Sequence, residues 1–278
     1  MKYMGSKQRI AGEILSAIYA HSKPTDTFAD LFCGGCSIIE RVDPKQYHRI
    51  VNDKNIYLIE MFRLLIDTID TDECITVEEM RNRLAADGRF PLHISKELYS
   101  LYRSRYHDCE KGELNLPLPN ELAQIGWAGW MGSFNGRFFS GGYAGHEMKI
   151  KSGATRDYIR SQIDNTLRQI PALKGVDFHH EDYSDVSMPL NAIVYCDIPY
   201  RGTKQYETSK NFNYDRFYEW CRQNRDRYQI FVSEYAMPDD FECIWEKSVT
   251  TTINPNKTLK PVEKLFKIVN LKNIFNDK

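Results

Sequence analysis

Asp197-Ile198-Pro199-Tyr200 brings together groups that could act on one planar substrate. The Asp197 carboxylate and the Ile198 backbone carbonyl are acceptors, and the Tyr200 ring can stack. Such a set suits a planar base that carries an exocyclic amine. The tetrapeptide follows Ala192-Ile193-Val194-Tyr195-Cys196, a short β-branched run bounded by turn formers, which predicts a buried strand. Open α/β sheets place their ligands at the carboxyl ends of strands. Taken alone, the same four residues would also serve as a strand end with a proline turn.

The amino-terminal half offers further strand ends. Phe28 to Phe32 predicts a strand, Cys33-Gly34-Gly35-Cys36-Ser37 a tight loop, and Ile38 to Val42 the start of a helix. Glycines after a first strand let backbone approach a ligand and leave helix amides free to meet it. The loop is not GxGxxG, so the dinucleotide fingerprint is absent. A second strand predicted at His48 to Asn52 leads to Asp53. That acid lies about 20 residues beyond the glycines, the spacing at which a carboxylate can bind ribose hydroxyls.

The elements that must position these groups fall into three regions. Residues 1–56 predict helix 10–20, then strand, loop, helix and strand. Residues 57–150 predict helices over Leu58–Ile69, Val77–Ala86 and Glu97–Tyr106, then a Gly- and aromatic-rich run from Gly126 to Gly145. Residues 151–278 return to alternation: helix Thr155–Ile170, strand Val176–His180, strand 192–197, helix 214–224, strand 228–234 and a hairpin around 242–271. Alternating strands and helices imply an α/β fold with a mainly parallel sheet. The middle region is expected to be an inserted, mostly helical lobe, with 1–56 and 151–278 forming the catalytic domain.

The chain of 278 residues is 42% hydrophobic, enough for one domain of usual size and a smaller lobe. Its net charge of −1 gives no global basic field, so local charge matters more. Lys149, Lys151, Arg156 and Arg160 cluster with only Asp157 opposing. Lys204, Lys210, Arg216, Arg222, Arg225 and Arg227 follow the Asp197 tip. All of these would also suit solvated helix faces. Seven scattered cysteines do not suggest a disulfide framework and fit a reducing compartment. No metal site is expected, because Cys33 and Cys36 lack an accompanying pair. Without a long apolar window or signal peptide, a cytoplasmic protein is expected, with no membrane partner.

In the aromatic run, Trp127, Trp130 and Phe134 fall at helical spacing and suit core packing. Asn135-Gly136-Arg137 and Ser140-Gly141-Gly142 do not, because glycine opposes helix. A loop presenting Asn, Arg and aromatics would suit contact with a duplex.

In their order along the chain, these segments resemble the motifs of the Dam-type (D12 class) adenine-specific DNA methyltransferases, which use S-adenosylmethionine. Lys2-Tyr3-Met4-Gly5-Ser6-Lys7 is similar to the family's amino-terminal motif. Phe28 to Ser37 resembles its cofactor loop, Asn52-Asp53-Lys54-Asn55 its ribose motif, Phe134-Asn135-Gly136-Arg137 its Phe-Asn-Gly stretch, and Asp197 to Tyr200 its Asp-Pro-Pro-Tyr motif. Ser233 to Pro238 and Glu263 to Phe266 resemble late motifs. The resemblance implies a Rossmann-like class I methyltransferase fold with an inserted target-recognition lobe at 57–150. It implies Asp197, Ile198, Pro199 and Tyr200 as catalytic residues. It implies cofactor contacts from Tyr3, Lys7, Asp30, Phe32, Cys33, Gly34 and Asp53, and from the acid–aromatic pair Asp182-Tyr183. It implies DNA contacts from Phe134, Asn135, Arg137, Lys149 and Lys151. The partner would be double-stranded DNA, with a restriction endonuclease compatible, and the expected state is a monomer or weak dimer. A weakly active relative that only binds, or an amine methyltransferase for cytosine or RNA, are the alternatives. Three features depart from the pattern. Ile198 replaces the usual Pro, Cys36 replaces a frequent Gly, and Arg137 follows Phe-Asn-Gly without a spacer.

Overall fold

A computed structural model describes residues 1–69, 75–149, 153–201, 212–248 and 262–269. In chain order the elements are α1 (Ala11–His21), β1 (Thr27–Asp30), β2 (His48–Asn52), α2 (Ile56–Ile69), α3 (Val77–Asp87), α4 (Lys96–Glu110), α5 (Pro119–Gly132), β3 (Met148–Lys149), β4 (Thr155–Arg156), α6 (Tyr158–Leu167), β5 (Val176–His179), β6 (Ile193–Asp197), α7 (Tyr214–Asn224), β7 (Gln229–Ser233), β8 (Phe241–Ser248) and β9 (Val262–Ile268). Two compact units divide the chain. The first holds Met1–Lys7, Gly34–Glu40 and Asn55–His180; the second holds Gln8–Cys33, Arg41–Lys54 and Glu181–Lys278.

The second unit is an α/β layer of Rossmann-like type. Its strands run in the order β2-β1-β6-β7-β9-β8. The β1/β2, β1/β6 and β6/β7 pairs are parallel, while β9 runs antiparallel to both β7 and β8. All four residues of β1 are buried, as expected of a strand covered on both faces. Ala29, Leu31, Val194, Cys196, Ile230 and Val232 pack with Phe217, Trp220 and Cys221 of α7 in one core. From β1 the chain moves to β2 on one side and later to β6 on the other. That reversal makes a topological switch point, where α/β sheets open a ligand crevice.

The first unit is mostly helical, and glycine governs its closest packing. On α5, a Cβ added at Gly126 would lie 2.2 Å from the Tyr57 carbonyl oxygen of α2. One added at Gly129 would lie 2.2 Å from the Phe138 ring. Close approach, not turn formation, explains glycine inside this helix. Trp127 and Trp130 are buried on α5 as their spacing predicts, but the helix ends at Gly132 and leaves Phe134 38% exposed. Helix α3 is stopped cleanly, by a Thr76–Glu79 capping box at one end and left-handed Gly88 at the other.

Two local expectations are corrected. The helix expected from Ile38 is a three-residue turn, Ile39–Arg41. Pro44 follows closely and drives Asp43 from helical geometry. The helix expected over 155–170 is confined to α6. Asp157 caps it by accepting from the Arg160 amide, Thr155 and Arg156 pair with Met148 and Lys149, and Pro171 opens a separate turn, Ile170–Leu173. Among the described residues, no helix is long and apolar enough to cross a membrane.

Candidate active site at the strand ends

In the second unit, the carboxyl ends of β2, β1 and β6 lie side by side. The Leu31 amide donates to the Tyr195 carbonyl, and the Cys33 amide to the Asn52 carbonyl, each at 3.0 Å. These bonds continue the sheet past its last paired residues and fix the tips relative to one another. Asp30, Phe32, Cys33, Asp53 and Asp197 are thereby gathered at one edge of the sheet. Asp30 is almost wholly buried, while Asp53 and Asp197 are half-buried.

The tip after β6 is held residue by residue. Ile198 is 1% exposed and belongs to the apolar core, so its side chain packs inward and leaves the acceptor role to its backbone. The Pro199 carbonyl accepts from the Tyr214 hydroxyl at 2.8 Å. The Tyr200 hydroxyl donates to Glu263 at 2.6 Å, and its ring meets Tyr235 edge-on at 4.5 Å. Burial, together with the nearby Asp197 and Glu263 carboxylates, pushes the Tyr200 phenol well above its ordinary pKa. It therefore stays neutral and keeps a proton to donate.

Residues 181–183 join the same edge. Asn52 is buried; its side chain donates to the Leu31 and Glu181 carbonyls (3.2 and 3.1 Å) and accepts from the Glu181 amide (2.8 Å). Asp182 takes a two-pronged bond from Arg216, both distances 3.0 Å, and another from the Ser184 hydroxyl. Burial opposes its ionisation, but the Arg216 and Ser184 hydrogen bonds prevail and hold its carboxyl below the ordinary range. Tyr183 stands among Phe32, Phe212, Phe217 and Trp220, with ring centroids 5.3–6.1 Å away. Burial raises its phenol to about 12. Its hydroxyl is buried and has no hydrogen-bond partner among the described residues. An unmet donor within an aromatic cluster, beside several carboxylates, fits a ligand with a flat heterocycle and hydroxyl groups.

In the first unit, Tyr3 lies over the glycine loop. A Cβ at Gly34 would come within 2.8 Å of its ring, and one at Gly35 within 2.7 Å of its own Cβ. Lys7 is buried and reaches the Gly5 carbonyl at 3.4 Å. Gln169 donates to the Gly35 carbonyl at 2.7 Å. Cys36 sits at φ 58°, left-handed backbone where a glycine would rest without strain.

The Phe134–Gly136 turn is organised by the amino-terminal segment. Asn135 has φ 58°, its side-chain oxygen accepts from Lys2 at 3.1 Å, and its amide donates to the Tyr158 hydroxyl at 2.7 Å. Gly136 abuts the Lys2 carbonyl, 2.3 Å from where a Cβ would sit. Phe134 stacks on Tyr158 at 5.3 Å. Arg137 is half-buried and Lys149 exposed. Lys151, Lys204 and Lys210 lie outside the described residues.

Sequence reasoning named the strand tips but not their supports. Asn52, Glu234 and Glu263 fell within the motifs and Tyr214 opened the expected helix 214–224, yet nothing in their spacing gave their partners. Arg216 was counted as part of a basic cluster; its partner is Asp182.

The sequence matches the family model described as D12 class N6 adenine-specific DNA methyltransferase over residues 3–226. A match over most of the chain shows the family, and the chain belongs to it. No curated protein matches the sequence. Among solved structures, SMU.472, assigned as a methyltransferase and crystallised with SAH, is similar at 9% identity and TM-score 0.37, with 95% of this chain covered. The chain spans about half the length of that structure, 52%.

Proposed function

We propose that this D12-class chain transfers a methyl group from S-adenosylmethionine to the exocyclic N6 amine of an adenine turned out of duplex DNA. The observation that carries the reading is the Asp197–Tyr200 tip. A half-buried carboxylate, the backbone carbonyl of a residue whose side chain is taken up by the core, and a fixed aromatic ring stand at the switch point of a mainly parallel sheet. Family membership supplies the class of reaction.

The adenine amine is a poor nucleophile because its lone pair is delocalised into the ring. The Asp197 carboxylate and the Ile198 carbonyl would accept its two hydrogens, draw the nitrogen towards tetrahedral geometry and localise the pair. Tyr200 would stack on the base, and its bond to Glu263 keeps the ring in one orientation. Asp197 need not act as a strong base, because the proton can leave after the new bond forms. A base within a duplex cannot reach a strand tip, so it must leave the stack.

When bound, the cofactor supplies an electrophilic methyl group. The residues of the second unit fit it. Asp53 would accept from ribose hydroxyls, and Phe32 and Tyr183 would flank its adenine, with the unmet Tyr183 hydroxyl free to bond. Asp30 and Cys33 line the tip of β1. Asp182 would act through Arg216 and Ser184, which already hold its carboxylate. For the first unit, Tyr3, Lys7 and Gly34 are proposed as cofactor contacts from their motifs. Phe134, Asn135, Arg137, Lys149 and Lys151 are proposed to meet DNA. Of these, Lys149 is exposed and Arg137 half-buried, which supports contact with phosphate or guanine.

The test is transfer of a labelled methyl group to duplex DNA, followed by base analysis. N6-methyladenine is the expected product. Label in cytosine or RNA, or binding of DNA and cofactor without transfer to any sequence, would overturn the reading.

A further inference from the structure

Three successive residues after Ile198 are tied down, and two of the ties, from Tyr214 and Glu234, come from side chains that the proposed chemistry does not use. The Tyr214 hydroxyl at the start of α7 donates to the Pro199 carbonyl at 2.8 Å. The Tyr200 hydroxyl reaches Glu263 on β9 at 2.6 Å. The Arg201 amide donates to Glu234 at 2.9 Å, and the other oxygen of that carboxylate accepts from the Tyr235 amide at 2.7 Å. Glu234 is 1% exposed, so its carboxyl group is buried against these backbone donors just past the end of β7. The Arg201 guanidinium also lies 5.0 Å from the Tyr214 ring. Each tie comes from a different element, which leaves the tip few ways to shift.

A proline at 198 would fix φ through its ring, and isoleucine does not. A tip free to move must be ordered again in each transition state, and small misplacement of a reacting group slows a reaction severely. We propose that Tyr214 and Glu234 are positioning residues that lock the Asp197–Tyr200 tip and replace the backbone stiffness that Ile198 gives up. The inference rests on the methyl-transfer reading of that tip.

Single-turnover methyl transfer to one duplex tests it, with the wild type, Tyr214→Phe, Ile198→Pro and the double variant. Tyr214→Phe removes only the hydroxyl and keeps the ring. It should slow transfer about tenfold, the worth of one hydrogen bond at the reacting centre. Cofactor affinity, measured by titration, should stay within about twofold, since no proposed cofactor contact is removed. Adding Ile198→Pro should restore most of the lost rate. Glu234→Gln offers one oxygen to two amides and should slow transfer similarly, with cofactor and DNA affinities kept; it decides the matter if the double variant does not fold. An active wild type matched in rate by Tyr214→Phe and Glu234→Gln would overturn the lock alone. So would a slowed Tyr214→Phe that Ile198→Pro leaves as slow. A wild type that transfers no methyl group would instead fail the reading of the site.

Discussion

The strand tips of the second unit and the Phe134–Gly136 turn of the first place their polar groups by different means. At the tips, position follows from the sheet. Each parallel strand delivers its last residue to the same edge, and bonds such as Leu31 to Tyr195 carry the register onward. In the turn, position follows from packing against distant chain. Asn135 adopts left-handed backbone and accepts from Lys2, while Gly136 leaves room for the Lys2 carbonyl. A strand end can be read from local pattern. A packed turn names its residues but conceals their partners.

The comparison is broken most severely if the tips prove dispensable. Asp197→Ala should lower methyl transfer by about 10³-fold, near 4 kcal/mol of barrier, the scale for losing a preorganised charge-stabilising group. Cofactor affinity should remain within a few-fold, because Asp197 is assigned to the target amine. Normal turnover by the variant in a labelled-methyl assay would remove Asp197 from the reaction.

Packing in the first unit should respond in stability. Gly126→Ala places a methyl group 2.2 Å from the Tyr57 carbonyl, and backbone cannot yield as a side-chain end can. A loss of about 3 kcal/mol is expected, at the upper end for overpacking. Denaturant unfolding checks it, and a shift of the midpoint near zero would mean that α2 and α5 are not held this closely.

How far the fold was legible follows the same division. Short, largely apolar runs marked β1, β2, β6 and β7, and the two tryptophans of α5 are buried as their spacing predicts. The short turn at Ile39–Arg41 was missed because Pro44, outside the helical pattern, sets its end. At the candidate site, Asp197, Tyr200, Asp53 and Tyr183 were named from motifs. Asn52, whose amide stitches β1 to the Glu181 loop 129 residues later, carried no local signal for that role. Arg216 appeared as one more surface cation, since pairing with Asp182 depends on how α7 packs. Cys36 stood out only as a departure; its φ of 58° explains why glycine suits that place.

A smaller effect separates the cofactor edge from the target edge. Asp53→Ala should weaken S-adenosylmethionine binding by about 1.5–3 kcal/mol, the worth of hydrogen bonds to a charged group. Isothermal titration reads it directly. Unchanged affinity would detach the end of β2 from the site and leave only β1 and β6 as its floor.

The smallest effect concerns the residue where family pattern and core packing pull apart. Ile198 is 1% exposed among Leu31, Cys196 and Val232. Its side chain is thus explained by the core, and its carbonyl, the group assigned to chemistry, exists with either residue. Ile198→Pro alone should therefore change the single-turnover rate by less than about tenfold, under 1.4 kcal/mol of barrier. The loss should appear in unfolding instead, at about 1 kcal/mol, because a smaller ring fills less of a buried volume. The two measurements pull in different directions only if stability and positioning are separable at this tip. A large gain in rate would mean that the ties from Tyr214 and Glu234 leave the wild-type backbone loose. A large loss would mean that the carbonyl at 198 needs the isoleucine, and that the strand tip, too, is placed by packing.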